Sequence, residues 1–537
     1  MAVVRSDRTA AILLRVFLYF SFLINDEVIK LKYNNPILSG FYPDPSICKV
    51  EDTYYLVTSS FEYFPGVPIF KSKDLVNWMQ IGHCLTRKSQ INLEKAGSSL
   101  GIFAPTLRYH DGKFYLITTN VSGGGNFIVW TEEPEGDWSD PIWLKEWPGI
   151  DPSLFFDDNG DVYITGNSDA EGGEEPGIYQ AKLNLETGNI IEERKFIWSG
   201  TGGAHPEGPH LYKINNWYYL MISEGGTEYG HMVTIARSKN PFGPFESAPY
   251  NPILTHRSLD HPIQATGHAD LIQYGDGTWW AVFLGIRPIG YPQKHHLGRE
   301  TFLAPVKWDT EGWPIIGDNG VISTKMNAPS NAETLVSPVL FYDDFSETTL
   351  NNKWNFLRNP HQKDISLNEK KGYLVLKGSD ITLNETDSPS FIGMRQQHFE
   401  CAVTTELNFR PENDLEEAGM TVIMNESFHY EIAMVQINKN LKLILRKSLS
   451  DVSVIEKEIE CSGQCMQLRI SANENNYSFY YRESDNLDFR LLGTGDCGML
   501  SKEVAGGFTG VYFGLYATGN GKKSTSKAYY NWFRYES

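Results

Sequence analysis

Three carboxylates and a histidine recur at one phase of an internal repeat. Asp44, Asp151 and Glu207 stand 11 or 12 residues ahead of the aromatic residues Tyr55, Tyr163 and Tyr219, and His268 stands 12 ahead of Trp280. Ala104 takes the same place ahead of Tyr115. Carboxylates gathered at one point suit acid–base work on a glycosidic bond. One protonated carboxyl donates to the leaving oxygen, a second activates water or attacks the sugar, and a third orients the acid and raises its pKa by like-charge repulsion. The competing use of three carboxylates is to bind a hard cation such as calcium. The chain lacks the closely spaced oxygen ligands of a calcium loop.

The elements that must bring these residues together are strands. The aromatic residues lie in TYYLV, KFYLI, DVYIT, WYYLM and TWWAV, and a turn signal precedes each: Glu51-Asp52, Asp111-Gly112, Asn159-Gly160, Asn215-Asn216 and Asp276-Gly277. A β-rich unit with a periodic aromatic reads as a propeller blade, and five copies predict five blades. The segments YPDPS, FAPTL, IDPSLF, PEGPHLY and GHADLI come just before and are predicted to be the innermost strands. Residues more than 220 positions apart then converge on one axis.

The chain has 537 residues, a formal charge of −19 and 13% aromatics, so its size allows several domains. The acidic balance argues against nucleic acid and against an anionic membrane surface as partners. Residues 1–30 hold Arg5 and Arg8 ahead of an apolar run from Ala10 to Ile24 broken by Arg15, with no small-x-small cleavage site. This segment reads either as signal-like, placing the protein outside the cell, or as an N-terminal extension of a cytoplasmic protein. The propeller is placed at 31–322, a polar linker at 323–339, and a second domain at 340–537, where short alternating strands without a repeat predict a β-sandwich. The fold class expected is all-β: a five-bladed β-propeller followed by a lectin-like β-sandwich. The six cysteines have no framework or metal-ligand spacing and read as free thiols.

The segment NPILSGFYPDPS around Asp44 resembles the opening of glycoside hydrolase family 43, and IDPSLF and HPEGPH resemble its two other acidic motifs. The likeness extends from Tyr33 to Ser537 and is to the two-domain β-xylosidases of that family. It implies that Asp44 is the general base, Glu207 the general acid and Asp151 the carboxylate that tunes and orients the acid, in an inverting reaction. It also implies that Arg299 hydrogen-bonds the terminal sugar, that Phe61 forms an aromatic wall, and that Phe103, Ala104, Thr227 and His268 lie near the substrate. Phe103 departs from the family's tryptophan. Phe508, in GGFTG, matches a residue that the second domain places at the pocket rim. No cofactor is implied as required. A structural calcium near the propeller axis, held through water beside His268, is implied in some relatives. The expected activity is exo-acting release of xylose from xylooligosaccharides, accompanied by α-L-arabinofuranosidase activity. The alternatives are arabinofuranosidase as the main activity, a retaining fructan-cleaving enzyme (whose WMNDPN-like opening is absent), or a catalytically silent sugar-binding propeller. A homo-oligomer is compatible with the sequence.

Overall fold

The computed structural model describes residues 31–168, 175–333 and 340–537. Residues 1–30, read as a signal or an extension, lie outside these, as does 334–339 of the stretch read as a linker. Among the described residues, five antiparallel sheets follow one another in chain order, each built outward from its first strand. The first strands are Ser46–Val50, Thr106–His110, Ser153–Phe156, Glu207–Ile214 and Gln264–Gln273. They pack against one another around the axis, and the aromatic-bearing strands pair outside them.

The turn signals do the folding the sequence assigned to them. Asp111-Gly112 and Asn215-Asn216 take positive φ at both positions (46° and 82°, 51° and 62°). That is the conformation two-residue hairpin turns demand. Apolar seams fill the gaps between neighbouring blades, including the closing seam between the fifth and the first, where Tyr33, Leu38, Tyr42 and Ile47 meet Trp280 and Leu303. Hydrogen bonds also close the ring: the segment ahead of the first blade runs onto the last. Asn35 exchanges two hydrogen bonds of 2.9 Å with the backbone of Leu303, and Lys32–Asn34 pairs antiparallel with Lys325–Asn327. The stretch expected to be a linker therefore begins with a strand, which the polar composition of that segment concealed.

The second domain is a β-sandwich. Among the described residues it has a six-stranded and an eight-stranded sheet around one apolar core. Its six-stranded sheet turns Ile423, Ala433, Val435, Ile444, Tyr512 and Tyr516 onto Phe41, Phe61 and Tyr63 of the propeller. Phe356–Leu357 adds to Tyr63–Phe64 as a two-stranded sheet across the boundary. Two fully buried arginines of the sandwich reach propeller backbone, Arg358 to the Ala96 carbonyl (2.5 Å) and Arg395 to the Phe41 carbonyl (2.7 Å). Removing either guanidinium would orphan buried carbonyls, so the two domains are fixed to one another by groups that water cannot replace.

Candidate active site

All five residues at the repeated inner position line one cavity at the propeller axis: Asp44, Ala104, Asp151, Glu207 and His268. Phe61, Phe103, Thr227, Arg299 and Phe508 complete the predicted set, and the structure adds Ile150 and His231. The cavity measures about 100 Å³. Pockets for drug-sized ligands run to roughly 300–1,000 Å³, so this one admits a single small ring and not a stretch of polymer.

Three of the five inner residues are non-glycine residues at positive φ: Asp44 (54°), Asp151 (53°) and His268 (49°). Asp44 and Asp151 each precede proline, which favours an extended φ in its predecessor. Such sparsely populated backbone costs about 1–3 kcal/mol per residue and persists where the surroundings over-determine it. Here it turns three side chains off the strand ends and into the cavity.

Asp44 is buried and held on both oxygens. Ser59 Oγ donates to Oδ2 at 2.5 Å and Arg299 Nη1 donates to Oδ1 at 2.8 Å. A carboxylate offers about four acceptor sites, so two remain for a water. Arg299 also donates to Thr227 Oγ1 at 3.1 Å, and its guanidinium lies 5.4 Å and 5.7 Å from the Phe61 and Phe508 ring centres. Asp151 accepts the Gly208 N–H at 3.2 Å, which ties it to the residue following Glu207. Burial pushes its carboxyl up to about 6; Asp44 adds to the rise, while His268, Gly208 and Arg299 oppose it. Glu207 opens its strand opposite Ser223, whose Oγ accepts the His268 N–H at 2.5 Å. Glu207 and His268 are thus tied to one another through Ser223.

Phe508 comes from the sandwich. Its N–H donates to Ser99 Oγ at 2.7 Å and its ring stacks on Phe61 at 6.1 Å. The loop approaches so closely that a Cβ on Gly510 would lie 2.3 Å from the Leu297 carbonyl oxygen. Phe103 packs on Phe61 at 5.2 Å and keeps the wall apolar.

Residues 33–314 match the family described as Glycosyl hydrolases family 43, and residues 342–536 match the β-xylosidase C-terminal concanavalin A-like domain. The chain belongs to glycosyl hydrolase family 43. It is 45% identical to a non-reducing-end α-L-arabinofuranosidase of Bacteroides ovatus over 95% of this chain and 96% of that protein. It is 39% identical to a xylosidase/arabinosidase of Butyrivibrio fibrisolvens, covering 94% and 99%. Among solved structures, a xylan β-1,4-xylosidase of Bacillus halodurans superposes with a TM-score of 0.88 at 33% identity, over 94% of this chain and 100% of that one. This family-43 chain is therefore a glycoside hydrolase with a propeller catalytic domain and an appended sandwich.

His231 is the family-43 cavity residue that sequence reasoning missed. It sits at no repeated offset; the loop after Trp217–Glu224 carries it in beside Thr227. Its ring is fully buried with Nε2 3.9 Å from Glu207 Oε1, and burial pushes the imidazole down to about 3, so it is neutral. The ring fits because residue 267 is glycine: a Cβ there would meet it at 2.2 Å. The signal available in the sequence was this Gly267 next to His268, which reads as a close approach only once its partner is known.

Two of the carboxylates near His268, where a hydrated calcium is implied in some relatives, are already engaged by arginines. Asp270, close below, accepts from Arg108 at 2.8 Å and 3.2 Å, and Asp44 accepts from Arg299. Among the described residues, no three His, Cys, Asp or Glu side chains gather as a ligand set.

Proposed function

We propose that this protein is an exo-acting, inverting α-L-arabinofuranosidase that also releases xylose from xylooligosaccharide ends. This reverses the order of activities expected from sequence. The observation that carries it is the 45% identity, across nearly the whole of both chains, to an enzyme described as a non-reducing-end α-L-arabinofuranosidase. The xylosidase/arabinosidase likeness at 39% identity supports the accompanying activity and a substrate of the xylan or arabinan class. A cavity sized for one ring and roofed by Phe508 supports attack at chain ends.

In this reading Asp44 is the base. Arg299 and Ser59 hold its carboxylate in one plane, leaving free acceptor positions for the water it deprotonates. The water attacks the anomeric carbon from the side opposite the leaving group. Glu207 gives its proton to the departing oxygen as the glycosidic bond breaks. Asp151 positions Glu207 through the Gly208 amide and, once ionised, holds the acid's proton on by charge repulsion. Arg299 Nη2, whose contact with the Phe508 carbonyl is 3.5 Å, suits a hydroxyl of the terminal sugar. Every proton in this scheme is moved by protein groups or water, so no metal is required; a hydrated calcium beside His268 would act only on the local field.

Initial rates on nitrophenyl α-L-arabinofuranoside and nitrophenyl β-D-xylopyranoside test the ranking, with the higher kcat/KM expected on the arabinoside. A higher value on the xyloside would restore the opposite order. Proton NMR of the first-formed sugar should show the inverted anomer; retention would remove Asp44 from the role of base.

A further inference from the structure

The eight-stranded sheet of the sandwich has one face in the core and the other away from the propeller. Along Lys527–Glu536, Phe533 and Tyr535 are buried, so Trp532, Arg534 and Glu536 stand on the outer face. The register continues this face across the sheet. Tyr342 and Thr404 flank Arg534, Arg469 lies opposite Thr404, and Tyr480 lies opposite Arg469. Five strands at about 4.8 Å spacing make this row roughly 19 Å long. Beside it lies a cleft of about 510 Å³ lined by Tyr342, Trp532, Phe489, Arg469, Arg482 and Arg534, together with Asp485 and Glu536.

Its lining is of a kind that sugars recognise. The Tyr342 and Trp532 rings lie 6.3 Å apart and 29° from parallel, and Tyr342 is 51% exposed. The Arg534 guanidinium lies 5.7 Å and 5.6 Å from their centres. Arg482 is fixed by Gln467 Oε1 at 2.7 Å and Asp485 Oδ1 at 2.8 Å. Arg469 spends only its Nε, on Ser471 Oγ at 3.2 Å; its two terminal nitrogens donate to no protein acceptor among the described residues. Flat aromatic surface takes the C–H faces of pyranose rings, and amide, hydroxyl and guanidinium groups around it take their hydroxyls. The cleft holds three arginines against two carboxylates, in a chain whose formal charge is −19. A local cationic excess with a free guanidinium fork matches a carboxylate better than a neutral chain.

We propose that this outer face is a second, non-catalytic binding surface for an extended polysaccharide bearing uronate groups, with Trp532 and Tyr342 as the stacking platform and Arg469 as the carboxylate contact. The six-stranded sheet is occupied by the propeller, so a polymer held here leaves the catalytic cavity open.

Affinity electrophoresis of the full-length Asp44→Ala protein, which would not trim the polymer, tests this in gels containing uronate-substituted xylan or the same xylan after carboxyl reduction. Retardation is expected in the first and weaker retardation in the second. Trp532→Ala in that background should lower affinity about tenfold or more, and Arg469→Gln should erase the preference for the uronate polymer. In the active enzyme Trp532→Ala should leave kcat/KM on a nitrophenyl glycoside unchanged. If Trp532→Ala misfolds, Tyr342→Ala takes its place. Absence of retardation, retardation indifferent to both aromatic variants, or equal retardation by the two polymers would overturn the proposal. A dimer in size-exclusion chromatography that Trp532→Ala dissolves, without polymer binding, would assign the face to a second copy of the chain instead.

Discussion

Two buried aspartates on inner elements of the propeller, one in the third blade and one in the fifth, are driven in opposite directions. Asp270 accepts from Arg108, Ser46 Oγ (2.7 Å), the Ile47 amide (3.0 Å) and Tyr212 OH (2.6 Å), and these partners hold its carboxyl well below the usual range against the cost of burial. Asp151, also buried but at the cavity wall, has the Gly208 amide as its hydrogen-bond donor and is pushed up to about 6 by burial. Both are buried; pairing differs. At Asp270 the protein spends donors from three other blades to lock the inner strands together. At Asp151 it withholds them, and the unsatisfied charge is available to act on a neighbour. On the proposed reading, the lower, Asp270 end of the channel serves stability and the upper, Asp151 end serves chemistry.

Variants can break that contrast, and the largest effects belong to the upper end. Asp44→Ala should abolish hydrolysis of every substrate, with losses of about 10⁴-fold or more, while Glu207→Ala should lose far less on substrates with activated leaving groups, which need little protonation. Leaving-group series on both variants check this, and identical dependence would undo the assignment of base and acid. Neither substitution should lower the melting temperature greatly.

At the lower end the effect should be on stability. Asp270→Asn leaves Arg108 without its counter-charge and should cost about 3–5 kcal/mol in denaturant unfolding. The wild-type contribution of Asp270 is present at neutral pH and is lost as pH falls through its depressed pKa.

Asp151→Asn should act with the opposite sign. The native state prefers the protonated acid, so between about pH 4 and pH 6 stability falls as pH rises, and the full penalty stands above pH 6. Asparagine never carries that charge. The variant should therefore be more stable than wild type above pH 6, by up to roughly 3 kcal/mol, with the difference vanishing near pH 4. Its kcat/KM profile should lose the alkaline limb at lower pH, because the repulsion that holds the proton on Glu207 is gone. Unfolding and rate profiles across pH 4–8 check both, and an unmoved limb in a folded variant would remove Asp151 from tuning the acid.

A smaller effect is expected at Phe508, which is only partly buried in the pocket roof. Phe508→Ala should lower kcat/KM on disaccharides about tenfold through water entry and lost apolar contact, well short of the 3–5 kcal/mol of stability that a core Phe→Ala removes. Thermal melts beside disaccharide kinetics separate the two. The smallest effect should follow chelation: dialysis against EDTA should leave kcat and melting temperature unchanged, and a loss restored by calcium would establish the ion near His268.

The repeat was legible because its signals are local. Turn residues, aromatic phase and strand alternation are written within a few residues of one another, and five copies of them fix which strand is innermost. Once that is fixed, Asp44, Ala104, Asp151, Glu207 and His268 must face one axis, and the cavity holds all five. The family likeness added Arg299, Phe61, Phe103, Thr227 and Phe508, and these too line the cavity.

Other features depended on which distant surfaces meet. His231 enters the cavity because Gly267, on another blade, offers no side chain to stop it. Arg299 spends one donor on Asp44, and that choice follows from how the fifth blade closes against the first. The roof over the pocket exists because Arg358, Arg395 and a two-stranded seam dock the sandwich in one orientation. The contrast between Asp151 and Asp270 is of the same kind. Both read as a carboxylate on an inner strand, and only the packed structure decides which one is surrounded by donors. Sequence determined the periodicity, the fold and the residues that point inward, because those follow from short-range backbone preferences. Pairing, burial and the resulting pKa values belong to tertiary structure, because they are set by groups hundreds of residues away that meet only when the blades and the sandwich close.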